Sequence, residues 1–166
     1  MRFKPFPLVA LFIVWTGAVG QVPTSGGDWQ ESDVPPPPSV SDKDLIPIDM
    51  PANLALRFGV DPSTLAITKD GVIRYVMVAA SRTGSRNVMY EGVRCATSEV
   101  KTYARQDWSG QWAPVSQAQW RPLQGGGAAA HAMALSRQGA CSGRSVSTDS
   151  VTVLISKLKN WKPDSR

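Results

Sequence analysis

Between Val60 and Tyr103 the chain reads VDPSTLAITKDGVIRYVMVAASRTGSRNVMYEGVRCATSEVKTY, with Asp70-Gly71 set between two apolar runs. Asp-Gly in that setting is a strong hairpin signal, because both turn positions tolerate positive φ. It predicts that Leu65 to Thr68 pairs with Val72 to Tyr75. The run Val72 to Ala80 is rich in β-branched residues, and Ser81 to Arg86, with Gly84, reads as the next turn. Asn87 to Cys95 and Glu99 to Arg105 follow as strands, and Trp108 to Trp112 as a smaller hairpin tip. Upstream, Leu54 to Phe58 reads as a short strand. Leu45-Ile46-Pro47-Ile48 reads as an edge segment, since proline suits an edge and not a central strand. The connections are too short for parallel crossovers, so the expectation is an antiparallel meander of about five strands.

The last third reads differently. After Gly125-Gly126-Gly127, the alanine-rich stretch Ala128 to Gln138 favours helix, with His131 and Leu135 one turn apart on one face and Gly139 as its stop. Val151, Leu154, Leu158 and Trp161 fall at helical spacing. This predicts a helix over about 149–160, capped by Thr148 or Ser147, with Lys157 and Lys159 near the negative end of its dipole. Val151, Val153 and Ile155 also alternate, so a strand is the other reading there. The fold class is α+β, with one or two C-terminal helices packed on the sheet.

At the other end, Arg2 and Lys4 precede the apolar run Leu8 to Trp15, and Ala18-Val19-Gly20 is a small-x-small cleavage site. Residues 1–20 therefore read as an export signal. The run is far shorter than the ~20 residues that span a bilayer, so no membrane anchor is expected after cleavage. About 146 residues remain, enough for one domain with a core. Of these, 21–43 read as a Pro/Gly-rich linker around Pro35 to Pro38, with Trp29 too large and apolar for a pure spacer. Residues 44–162 read as a single globular domain, and 163–166 as a frayed end. Export implies a periplasmic, oxidising compartment, where an isolated pair such as Cys95 and Cys141 becomes a disulfide. Closing a loop of about 46 residues is worth roughly 4 kcal/mol in the chain-entropy model, as an upper figure.

The pieces Val60-Asp61-Pro62-Ser63-Thr64-Leu65, Asp70-Gly71-Val72-Ile73-Arg74-Tyr75, Tyr90-Glu91-Gly92-Val93-Arg94-Cys95, and Lys101 with Tyr103-Ala104 carry a resemblance. They are similar to the CNP-one-like family of small exported proteins of Gram-negative proteobacteria. Asp28-Trp29, Trp112, Trp120, His131, Leu135 and Cys141 agree in order. The resemblance implies a periplasmic domain with Cys95 and Cys141 paired, and no activity.

Candidate chemistry is sparse. His131 is the only histidine, no G-x-S-x-G elbow is present, and no group of His, Cys and carboxylates has metal-ligand spacing. No cofactor motif occurs; Gly125-Gly126-Gly127 lacks the Lys-Ser/Thr ending of a phosphate loop. Without Arg2 and Lys4 the formal charge falls from +5 to +3, a mild excess. Basic residues nevertheless cluster at Arg74, Arg82, Arg86, Arg94, Lys101 and Arg105. A solvated sheet face is one reading of that cluster, and contact with an anionic envelope component the other. On the second reading Arg82, Arg86 and Arg105, at turns and strand ends, are the anion-binding candidates. Arg74 and Arg94 emerge among apolar neighbours, so at least one is expected to have a carboxylate partner, with Glu91, Glu99 and Asp61 the first candidates. Trp108, Trp112 and Trp120 are either an aromatic platform or core and edge fillers. An exported chain without a nucleic-acid motif excludes nucleic acid as a partner. The expected function is that of a non-catalytic periplasmic domain binding an envelope protein, a glycan or an anionic lipid. The alternative is a hydrolase of cell-wall or lipid material using His131 with Glu91 or Glu99.

Overall fold

A computed structural model describes residues 29–124 and 127–163. The export signal predicted at 1–20 lies outside the described residues. The strands are β1 (Ile46–Ile48), β2 (Leu56–Val60), β3 (Ala66–Ile67), β4 (Val72–Ser81), β5 (Arg86–Arg94), β6 (Glu99–Gln106), β7 (Trp112–Pro114) and β8 (Arg121–Pro122). They form one eight-stranded antiparallel sheet in the order β1-β2-β4-β5-β6-β7, with β3 also on β4 and β8 also on β6. The meander is as expected, but eight strands replace about five. Two rows of the sheet are each broken in two. In the first, Pro62 has no N–H for the ladder, so 62–64 turn out as a 3-10 helix capped by Asp61. Thr64 Oγ1 then accepts from the Val76 amide at 2.9 Å, stitching the break to β4.

The Asp70-Gly71 hairpin forms with β3 on β4, Ile67 opposite Ile73. Its geometry differs from a turn with two positive φ values: Gly71 alone takes one, at 80°. The Gly71 amide donates to the Thr68 carbonyl at 3.0 Å, and the Thr68 amide to the Val72 carbonyl at 2.9 Å. That is a three-residue loop with glycine at the left-handed position.

Alternation sorts the strands into two faces. Ile73, Tyr75, Met77, Met89 and Val93 face the helices, and Val76, Val78, Val88 and Tyr90 face the other way. Over the first face lie α1 (Ala130–Leu135), entered by a 3-10 turn at Gly127–Ala129, and α2 (Val151–Asn160). Ser150 caps α2, accepting from the Val153 amide, in place of Thr148 or Ser147. Helix wins over strand there because Leu154 and Leu158, one turn apart, are the buried residues. After α1, Gly139 at φ 119° ends the helical run and leads into Cys141 and a short hairpin, β9 (Cys141–Ser142) with β10 (Ser145–Val146). Cys95 and Cys141 are bonded, with Cα atoms 5.7 Å apart, so the bridge ties the end of β5 to the helical layer. Buried Gln138 adds a polar stitch. Its Nε2 donates to the carbonyls of Pro47 and Leu158, and its Oε1 accepts from the Asp49 amide.

The second face is covered by residues 29–43, which form no helix or strand but lie along the sheet as a strap. They are extended, as their prolines dictate, yet they are not a free spacer. Trp29 docks firmly: its Nε1 donates to the Asp70 carbonyl at 2.8 Å while the Arg94 guanidinium lies 3.6 Å from its ring centre.

Candidate binding site

The helix side carries a run of adjoining hollows. One, of about 410 Å³, is walled by Met50, Leu54, Leu56, Phe58, Ala130 and His131. Leu54 is 42% and Leu56 37% exposed along its wall. A second, of about 580 Å³, shares Met50 and Ala130 with the first and continues past Met133 to Trp161. Its far rim carries Arg137 and Lys162, with Asp49 as the opposing charge. Lys159 stands by a third hollow that shares Met50, Asp49 and Trp161. The shared walls make one groove along α1, apolar at Leu54–Phe58 and basic at Arg137–Lys162.

Local sequence explains why the groove stays open. Pro51 interrupts pairing after β1, so residues 49–55 run as a loop and their apolar side chains do not enter the ladder. Small residues, Ala130 and Ala134, keep α1 shallow where it faces that loop.

Beneath the groove is a buried polar network. His131 Nε2 and Glu91 Oε2 are 2.7 Å apart, and both residues are nearly fully buried. Thr102 donates to Glu91 Oε1 at 2.9 Å, and the Tyr75 hydroxyl to Oε2 at 3.3 Å. Burial, then the Glu91 charge, push the Tyr75 hydroxyl well above its ordinary range, so it remains a donor. Phe58 stacks on the imidazole, rings 5.2 Å apart and 4° from parallel. His131 thus walls the hollow with one ring nitrogen held by a buried carboxylate. Among the described residues no serine, threonine or cysteine lines that hollow.

The predicted pairing of Arg74 or Arg94 with Glu91 does not occur. Glu91 and Arg94 are three apart on β5, so they point to opposite faces, and Arg74, opposite Gly92, lies on Arg94's side. Arg74 instead donates to the carbonyls of Ser32 and Asp33 at 2.7 and 2.9 Å, with Asp70 at 3.9 Å as its carboxylate. Asp61 caps its turn and accepts from the Ser41 amide.

The three anion candidates are not brought together. Arg86 is not free in solvent: it pairs with Asp42 at 2.7 Å and donates to Gln106. Arg105 sits opposite Met89 and so points to the helix side, whereas Arg86, opposite Ala80, points to the strap side. Arg82 is exposed in the β4–β5 turn. The three tryptophans do not form a platform either. Trp108 is 98% exposed at the β6–β7 tip. Trp112 donates to the Pro38 carbonyl at 3.1 Å, and Trp120 to Glu31 at 3.3 Å, with its ring edge-on to Trp29. Two of the three therefore hold the strap.

Glu31 is the strap's other anchor, bonded to Lys101 and to the Tyr103 hydroxyl, each at 2.7 Å. Tyr103 is the extra residue of a bulge opposite Tyr90/Glu91. Its ring lies across Gly92, where a Cβ would collide with the Tyr103 hydroxyl and come 2.9 Å from Val72. Burial first, then Glu31, raise the Tyr103 hydroxyl far above its ordinary range. Sequence reading missed Glu31 and the groove; the acids of 31–33 beside Trp29 were the available signal for the former.

Among the described residues no three His, Cys, Asp or Glu side chains are grouped as a metal site, and no helix is long and apolar enough to cross a membrane. These features define a disulfide-bridged α+β domain with a groove along α1 on one face of its sheet and the strap of residues 29–43 lying over the other. The CNP1-like family model matches residues 24–159, and the chain belongs to that family. Comparison with curated proteins and with solved structures gives no match.

Proposed function

We propose that this protein is a non-catalytic, periplasmic binding module whose groove along α1 takes an anionic amphiphile, a lipid-like molecule with an acyl chain and an acidic headgroup. The carrying observation is the division of one groove into an apolar end at Leu54, Leu56 and Phe58 and a basic rim at Arg137 and Lys162. Among envelope partners, a glycan would want more polar groups along the walls, and an anionic lipid matches both ends. The export-type N-terminus and the Cys95–Cys141 bridge support the periplasmic setting.

The test is titration of the full chain with dodecanoate and with dodecanol at low salt, followed by tryptophan fluorescence. Dodecanoate should bind about tenfold more tightly, a difference of ~1.4 kcal/mol. Arg137→Ala with Lys162→Ala should remove that difference, and Met50→Glu should abolish binding of both. Equal affinities in the unaltered protein, or no binding, would refute the proposal.

The second reading, a hydrolase using His131, is favoured by the Glu91–His131 pair at the wall of the same groove. Hydrolysis there would require water as the attacking group, with the imidazole taking its proton. Turnover of a dodecanoyl ester by the full chain, lost in His131→Gln with dodecanoate binding retained, would establish it over the binding reading.

A further inference from the structure

The strap lies on an aromatic floor. Tyr90 and Tyr103 have ring centres 5.3 Å apart, and Tyr90 meets Trp112 edge-on at 6.5 Å. Above them runs Val34 to Pro38, with the Trp112 indole N–H on the Pro38 carbonyl. An extended proline run makes no internal hydrogen bonds and presents ring faces and free carbonyls. Aromatic side chains with a well-placed donor are the surface that recognises it. A hollow of about 390 Å³ remains between Val34–Pro37 and the rings, so the run does not fill the groove.

The strap's bonds have a common direction. Trp29 and Ser32 reach Asp70, Glu31 reaches Lys101, Tyr103 and Trp120, and Ser41 reaches Asp61. Each joins the strap to the rest of the domain, and none is made within the strap. The strap joins β1 through a turn at Lys43–Asp44, where Asp44 has φ 60°, in the left-handed region that most residues avoid. A short connection with backbone strain favours exchange of the segment it joins.

We propose that the Tyr90–Tyr103–Trp112 face is a polyproline-reading groove that accepts the strap of a second copy of this chain, giving a reciprocally exchanged dimer. A second copy carries the one segment shown to fit. The closed and exchanged forms have the same strap contacts and differ in the Lys43–Asp44 turn and in the cost of association. The tether gives the cis strap an effective concentration on the order of 1 mM, so exchange needs high local concentration or a weakened cis strap.

A complementation experiment on full-length chains tests this. The first variant, Trp112→Ala, keeps its strap and loses its groove. The second, Glu31→Ala with Pro37→Gly and Pro38→Gly, keeps its groove and loses its strap. Mixed at up to about 1 mM, they should give a 1:1 heterodimer by sedimentation that neither forms alone, dispersed by a synthetic peptide of residues 29–43. Far-UV circular dichroism and the intact mass of the bridged form establish folding. Should Trp112→Ala fail to fold, Trp112→Phe, which keeps a ring and drops the donor, takes its place. A mixture that stays monomeric throughout overturns the proposal. So does a strap-damaged variant that binds an unrelated proline-rich peptide and not the 29–43 peptide, which would assign the groove to another protein.

Discussion

On one side of the sheet Ile73, Tyr75, Met77 and Met89 meet Leu135, Leu154 and Leu158 from two helices; on the other, Val76, Val78, Val88 and Tyr90 lie under a strap without secondary structure. The helix side is held by apolar burial, one disulfide and a buried carboxylate, Glu91, bonded to Tyr75, Thr102 and His131. The strap side is held by ring, ion and hydrogen-bond contacts, and the two buried side-chain nitrogens without a partner among the described residues, Arg74 Nε and Arg94 Nε, belong to it. Burial of large side chains stabilises by kilocalories each, while half-exposed polar contacts give about 1 kcal/mol or less. The contrast implies a helix layer that melts with the whole domain and a strap that opens first.

Perturbing the helix side should cost the most. Reduction of Cys95–Cys141 releases a loop of 46 residues and should lower unfolding free energy by roughly 4 kcal/mol at most, read as a fall in the urea midpoint. Leu135→Ala, at a fully buried site, should cost about 3 kcal/mol in the same assay. On the strap side, Trp29→Ala removes the Arg94 stack and the Asp70 bond. It should cost about 1–2 kcal/mol and appear mainly as faster proteolysis within 29–43. A large global loss would break the comparison. At the β3–β4 turn, Gly71→Val forces a β-branched residue to φ 80°, at a cost of about 1–2 kcal/mol. An unchanged melting temperature would refute the turn.

The smallest effect is a pH dependence centred on Asp70, where the strap meets the β3–β4 turn. Burial pushes the Asp70 carboxyl up, but hydrogen bonds from Thr68 and Ser32 outweigh it and hold it below its ordinary 3.8. A depressed carboxyl stabilises the fold above its unfolded value and loses that contribution as pH falls through the folded one. Amide exchange at Ser32 should therefore accelerate below pH 3.8 earlier than exchange in β4. Simultaneous acceleration would mean that strap and sheet open together.

The sequence made the helix side legible and the strap side opaque for a physical reason. Strand alternation, the Gly71 turn, the spacing of Leu154 and Leu158 and the pair of cysteines are local signals. The short strands β7 and β8 depend on what they meet across the sheet, on β6, so local signals give fewer strands than form. Four prolines in a row read as a spacer because nothing within them says that Trp112, over 70 residues away, takes the carbonyl of the last. The same holds for Glu91 and His131, joined across 40 residues by register and helix placement. The groove is legible only in space, since Leu54, the helical run with Ala130 and Arg137, and Lys162 come from three separate segments.

Hydrogen exchange of the full chain, with and without dodecanoate at low salt, tests the two-sided account and its function together. The account predicts added protection in residues 50–58 and 127–137, with the strap at 29–43 unchanged. Protection confined to the strap, or none in either segment of the groove, would contradict it.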